Sequence, residues 1–160
     1  MSNLYNLYPV EAGYTFTTVN GDKYFAYFTP FTLQTKNYTE IETVSFGFEC
    51  KRANPYSKQI YDSATKNTIV HLIKDYFSNK GEGALLYICL NNDEKGRHRN
   101  IIFSTWFNEL GQGFERYKSK VETENLGFFS AIIIKENNPN MRNLISAFYF
   151  TIDYWFPEEE

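Results

Sequence analysis

Thr43-Val-Ser-Phe-Gly-Phe-Glu-Cys50, then Ser63-Ala-Thr-Lys-Asn-Thr-Ile-Val-His-Leu-Ile-Lys-Asp-Tyr-Phe-Ser-Asn79, then Ala84-Leu-Leu-Tyr-Ile-Cys-Leu90 is the stretch that sets the fold class. The first piece alternates, with Val44, Phe46, Phe48 and Cys50 on one side and Ser45, Gly47 and Glu49 on the other, as a half-buried strand does. In the second, Ile69, Leu72, Ile73, Tyr76 and Phe77 recur at spacings of three and four, which draws one apolar stripe along a helix. Asp62 or Ser63 can cap its start, and Gly81 suits the left-handed position after its end. The third is continuously apolar and reads as a strand buried on both faces. Strand, helix and buried strand in this order are compatible with a parallel crossover unit.

Upstream, Tyr14-Thr-Phe-Thr-Thr-Val19 and Asp22-Lys-Tyr-Phe-Ala-Tyr-Phe28 flank Asn20-Gly21, a dipeptide that favours a two-residue type I′ hairpin turn. Pro30 ends the second of these strands or leaves it in a bend. Three strands thus open the chain. Downstream, a polar loop from Asn91 to Gly96 leads into a second helix from about Arg97 to Leu110, with Ile102, Phe103, Trp106 and Phe107 on its apolar face. From Phe114 aromatics alternate with charges, as in an exposed strand. A further strand centres on Ala131-Ile-Ile-Ile134. Asn137-Asn-Pro-Asn140 makes a turn before a short helix from Met141 to about Tyr149. The expectation is one α+β domain over residues 1–160. It has a mostly antiparallel sheet, an N-terminal hairpin or meander, two main helices packed on the sheet and a short C-terminal helix.

The chain has 160 residues with 42% hydrophobic and 22% charged side chains, enough apolar material for a core without staples and too little charge for disorder. Aromatics make up 19%, so large rings must either build that core or mark an interface. The formal charge of −3 argues against a general nucleic-acid binder. It is unevenly placed: residues 51–120 carry twelve basic and seven acidic side chains, while both flanking segments are acidic. Cys50 and Cys89 form no Cys-x-x-Cys pair and sit in apolar strands, as buried structural thiols in a reducing compartment do. The N-terminus lacks the basic and apolar regions of a signal peptide, and no apolar run reaches a membrane span. A soluble cytoplasmic protein with no membrane contact and no cofactor is the expectation.

The chief candidate for chemistry is Asn91-Asn-Asp-Glu-Lys-Gly-Arg-His-Arg99, running from a buried strand into a helix. Arg97 and Arg99 offer forked donors for phosphate or carboxylate, and His98 can act as acid or base. Cations in a first helical turn oppose the macrodipole, a cost that an acidic partner relieves; Asp93 and Glu94 can supply that acid internally, leaving a solvated loop. His71 and Asp75, four apart on the first helix, read as a solvated pair rather than a metal site. No His-Glu-x-x-His, Walker loop or paired-carboxylate motif is present, so the case for an enzyme is weak. The alternation of Phe114-Glu-Arg-Tyr-Lys-Ser-Lys120 fits a plain edge strand better than a nucleic-acid platform. Tyr154-Trp-Phe156, ahead of three glutamates, either docks on the domain itself or anchors another chain.

Tyr8-Pro9, Tyr14-Thr-Phe-Thr-Thr18, Val44-Ser-Phe-Gly-Phe48, Asp62 through Thr68-Ile69 to Phe77, Leu86-Tyr-Ile-Cys89, Arg99 to Phe103 with Trp106-Phe107, and Asn138-Pro139 together resemble a family of uncharacterised bacterial proteins of about this length. The resemblance implies a bacterial origin and a compact α+β domain, and it singles out Asp93, Arg99 and Trp106. It brings no activity. Two functions follow from the residues. One is a non-enzymatic protein-interaction module, accessory, antitoxin-like or immunity-like, whose partner is a basic protein. The other is a phosphate- or nucleic-acid-recognising protein built on Asp93, Arg97, His98 and Arg99.

Overall fold

The computed structural model describes residues 3–79, 83–90, 96–110, 112–119 and 128–155. Its strands are β1 (Tyr8–Val10), β2 (Gly13–Thr17), β3 (Lys23–Gln34), β4 (Glu40–Lys51), β5 (Ala84–Leu90), β6 (Phe114–Lys118) and β7 (Phe128–Lys135). The helices among the described residues are α1 (Ser63–Asn79), α2 (Gly96–Leu110) and α3 (Met141–Trp155). All seven strands form one sheet in the order β1-β2-β3-β4-β5-β7-β6. Every neighbouring pair is antiparallel except β4 and β5, which run parallel with Val44↔Leu85, Ser45↔Leu86 and Phe46↔Tyr87 in register. Helix α1 is the crossover between them, as the strand–helix–strand pattern suggests. The α+β class with a mostly antiparallel sheet is the observed one.

Alternation along the strands divides the core into two layers. Phe46, Phe48, Leu85, Tyr87 and Ile133 face α1 and α2, meeting Ile69, Leu72, Ile73 and Phe77 of the first helix and Phe103 and Trp106 of the second. Leu33, Leu86, Ile132 and Ile134 face the other way, onto Leu144, Ala147, Phe148 and Ile152 of α3. Rings fill the first layer. Tyr87 and Phe103 stack at 4.0 Å with planes 6° apart, Phe16 and Tyr24 at 5.0 Å, and Phe77 meets Phe114 at 4.9 Å. Each such pair adds about 0.5–1.5 kcal/mol to its area burial.

Four local expectations need correction. The Asn20-Gly21 turn is not type I′. Only Gly21 is left-handed (φ 82°), and Gly21 N–H donates to the Thr18 carbonyl at 2.9 Å, so the loop spans Thr18 to Asp22 between paired Thr17 and Lys23. Pro30 neither ends nor interrupts β3, which runs on to Gln34 with Pro30 opposite Val44. Pairing with β2 stops at Tyr27, and past that point the even-numbered amides face the open edge: Phe28 N–H donates to the Ala12 carbonyl and Gln34 N–H to Thr151 Oγ1. Pro30 occupies one of those outward positions, where no ladder hydrogen bond is lost. The C-terminal helix is not short: Thr151 and Ile152 continue its buried stripe to the end. Lastly, β1 adds a fourth early strand, turned onto β2 where Gly13 lies so close to β3 that a Cβ there would meet the Ala26 carbonyl oxygen at 1.9 Å.

Asp62 fulfils the capping expectation and does more. Its Oδ1 accepts from Thr65 N–H at 2.7 Å, and its Oδ2 accepts from the Tyr5 hydroxyl at 2.5 Å, tying the N-terminal segment across α1. Gly81, expected at the other end, lies outside the described residues. Burial raises the Asp62 pKa, but the hydrogen bonds from Tyr5, Thr65 and Ala64 outweigh it and hold the carboxyl below its ordinary value. A depressed carboxylate stabilises the fold at neutral pH and loses that contribution as pH falls through the lowered pKa. Asp62→Ala is therefore expected to cost about 1–2 kcal/mol in urea denaturation at neutral pH, and the gap from the natural protein should close in acid.

Candidate functional site

The parallel ladder ends at Phe46 and Tyr87, yet β4 continues to Lys51, following its register with β3, while β5 continues to Leu90 against β7. In α/β layers ligands collect outside the carboxyl ends of parallel strands, where neighbouring connections part. A cavity of about 410 Å³ lies at this end of the molecule. Tyr24 and Phe25 of β3 line it, as do Phe48, Glu49, Cys50 and Lys51 of β4, Arg52, Gln59 and Tyr61 of the crossover loop, and His98 and Arg99 of α2.

Each group is held by chemistry local to its own segment. Asp22, buried in the β2–β3 loop, places Oδ2 3.3 Å from Arg52 Nε and accepts from Ala53 N–H through Oδ1 at 2.9 Å. Arg52 also donates through Nη2 to the Ser57 carbonyl at 2.8 Å, so one guanidinium fastens the start of the crossover loop. Gln59 donates through Nε2 to the Tyr24 hydroxyl at 2.9 Å. The Tyr61 ring contacts His98, 5.6 Å away, and Trp106, which it meets edge-on at 5.8 Å. Trp106 stacks in turn on Phe48 at 5.9 Å. Burial drives the Tyr24 hydroxyl's pKa up. The Tyr61 hydroxyl is raised mainly by burial, with Cys50 adding, while Arg99 and Arg52 pull the other way. The two guanidiniums thus act on one point from different segments. Lys51, Arg52 and Arg99 are cations on this wall, Glu49 is its one acid, and Glu49 already accepts from the Tyr27 hydroxyl at 2.6 Å.

Of the candidates read from sequence, His98 and Arg99 line the cavity. Trp106 is buried behind it, 5% exposed, as the support of Tyr61. Arg97 falls in the first turn of α2, which carries no acid; its side chain and Asp93 lie outside the described residues. Tyr154 is 71% exposed near the end of α3, while the Trp155 side chain and Phe156 also lie outside the described residues. Arg116 donates to Ser104 Oγ at 2.7 Å and lies over the Phe107 ring, so it belongs to the β6–α2 packing. His71 and Asp75 are both exposed on α1, and no cluster able to hold a metal occurs among the described residues. Missed by sequence reasoning were Tyr24, Lys51, Arg52, Gln59 and Tyr61. The available signal was the crossover pattern itself, which points to the residues just after its first strand and just before its helix.

Residues 61–149 match the family of unknown function DUF6169. The chain belongs to that family. The DUF6169 segment starts at Tyr61 and contains His98, Arg99 and Trp106, whereas Tyr24 and Cys50 through Gln59 come from the part of the chain before it. The cavity is therefore made jointly by the DUF6169 segment and the preceding strands. Comparison with curated proteins and with solved structures found no match.

A second cavity, about 430 Å³, lies between the β1–β2 turn, Phe28 and α1, with Asp75 its one charged lining residue. The two differ in chemistry rather than size, and only the first gathers cations. Asp22 and Arg52 are both nearly enclosed, and removing one member of such a pair leaves an uncompensated charge. Asp22→Ala should lower stability by about 3 kcal/mol in chemical denaturation; an unchanged midpoint would show that the Arg52 end of the cavity is not held this way.

Proposed function

We propose that this DUF6169 protein recognises an anion, phosphate or carboxylate, in the cavity between β4 and α2. The observation that supports the proposal is the gathering of Lys51, Arg52 and Arg99, from a strand, a loop and a helix, along one cavity in which Asp22 holds Arg52 and Glu49, the acid in the lining, is hydrogen-bonded to Tyr27. Guanidinium groups pair with oxyanions through two parallel hydrogen bonds, and the anion offsets the cost of cations in the first turn of α2. His98 beside Arg99 adds a donor that also accepts. The role is one of recognition, which needs no paired nucleophile and base.

Titration calorimetry with inorganic pyrophosphate at low ionic strength tests it. Binding is expected to weaken as salt rises, because screening acts on partly exposed charges. Arg99→Ala should cost about ten-fold in affinity, roughly 1.4 kcal/mol, with the circular dichroism spectrum unchanged. Equal affinity in the variant and the natural protein would remove Arg99 from the site.

A second function, a protein-interaction module with a basic partner, is supported by Tyr154, which is 71% exposed and precedes the three terminal glutamates in sequence. Exposed rings with acidic neighbours suit a cationic protein surface. A partner that co-purifies with the natural chain should be lost from Tyr154→Ala; a strictly monomeric protein that retains nothing would dispose of this role.

A further inference from the structure

We propose that the end of the molecule formed by the β2–β3 loop and the crossover loop, residues 52–62, seats on an anionic lipid surface. This contact is separate from the β4–α2 cavity and goes beyond anion recognition there. Val19 and Tyr56 are the two most exposed large apolar side chains among the described residues, at 83% and 97%, and Ile60 is 60% exposed. The three come from two loops that the fold ties together. Asp22 of the β2–β3 loop holds Arg52 and the Ala53 amide, while the Tyr5 hydroxyl accepts from Val19 N–H at 3.2 Å and donates to Asp62 at the far end of the crossover loop. Tyr56 does not project from slack chain. Its own N–H donates to Asn54 Oδ1 at 3.0 Å, Ser57 N–H donates to the Asn54 carbonyl at 3.2 Å, and Arg52 fastens the Ser57 carbonyl. A loop ordered before contact loses little entropy on binding.

The charges at this end are sorted by sign. Residues 18–23 and 51–62 carry two acids, and both are engaged within the protein, Asp22 by Arg52 and Ala53 and Asp62 by Tyr5 and Thr65. Of the cations, Arg52 is engaged too, but Lys23, Lys51 and Lys58 are exposed, and none of them forms an ion pair among the described residues. Lys23 lies over the Phe25 ring and stands directly opposite Lys51 in the β3–β4 ladder. Like charges so placed repel, and an anionic surface relieves them. The whole chain is −3, but screening limits the reach of each charge to about 8 Å at physiological ionic strength, so the local lysines decide. Shape favours lipid over protein as the occupant. A protein hot spot fits a tightly packed pocket, whereas Val19, Tyr56 and Ile60 line neither of the two cavities described above. A headgroup layer yields to whatever enters it, and tyrosine, with an apolar body and a polar tip, suits that layer. Such a contact needs no membrane-spanning helix, and none occurs among the described residues.

Co-sedimentation at low salt with vesicles of phosphatidylcholine alone, and of equal parts phosphatidylcholine and phosphatidylserine, tests the proposal. The protein is expected to bind the mixed vesicles, to bind phosphatidylcholine at least about ten-fold less well, and to be released as salt rises. Lys58→Ala should weaken binding about five-fold and Tyr56→Ser about ten-fold. Circular dichroism should not change, because both side chains stand clear of the core. No binding to the mixed vesicles overturns the proposal. Binding that both variants leave intact gives the lipid contact to another face and overturns the role of this end. Retention on immobilised polyglutamate, without vesicle binding, makes the occupant an acidic protein and overturns the lipid. Neither Tyr56 nor Lys58 lines the β4–α2 cavity, so loss of vesicle binding and loss of pyrophosphate binding are separate results.

Discussion

Three parallel residue pairs, Val44 with Leu85 through Phe46 with Tyr87, join the two antiparallel halves of the sheet, and the rest of the molecule follows from how short that join is. Beyond it each strand is committed to a different antiparallel neighbour, β4 to β3 and β5 to β7. Adjacent strands also rotate against one another, so two strands with separate allegiances part once their shared ladder ends. Strands running the same way cannot be linked by a tight turn. They require a crossover, and here the crossover brings Arg52, Gln59 and Tyr61 to the end where the strands separate. The opening and much of its lining thus have one cause.

The aromatic content has the same geometric logic. One face of the sheet must accept two helices, and wide, flat side chains fill the space between a twisted sheet and two cylinders with few residues. The stacks of Tyr87 on Phe103 and of Phe48 on Trp106 lie in a continuous run of ring contacts that ends at Tyr61. At the end where the sheet opens, what would otherwise be core packing becomes a wall.

What the sequence revealed was whatever has a period. Alternation in Thr43–Cys50 and the three-and-four spacing from Ile69 to Phe77 placed β4 and α1, and continuous apolar runs placed β5 and β7, because those patterns come directly from backbone geometry. Asp62 was legible because capping is local. Pro30 was misread because its cost depends on which strand lies alongside, a fact of tertiary structure. The Asn20-Gly21 turn departed from the favoured type because Thr18 supplies its own hydrogen bonds to the loop. Helix α3 was cut short at aromatic and β-branched residues whose burial against Leu33 overrides their modest helix propensity. For the candidate site, His98 and Arg99 stood out because charge opposed the helix dipole, whereas Arg52 and Gln59 were marked only by their place in the crossover, and Tyr24 by nothing beyond its strand, until the fold brings them together.

Thr151 joins α3 to the outward edge of β3, its hydroxyl oxygen accepting from Gln34 N–H at 2.9 Å across 117 residues of chain. The face that carries Leu33, Leu86, Ile132 and Ile134 is therefore begun early in the chain, completed only by β7, and covered last, by α3. During synthesis those side chains wait uncovered until α3 has emerged. A contact that spans 117 residues is of the kind that slows folding, because the loop must close before the contact rewards it. Until α3 docks, that apolar face is open to association with other chains.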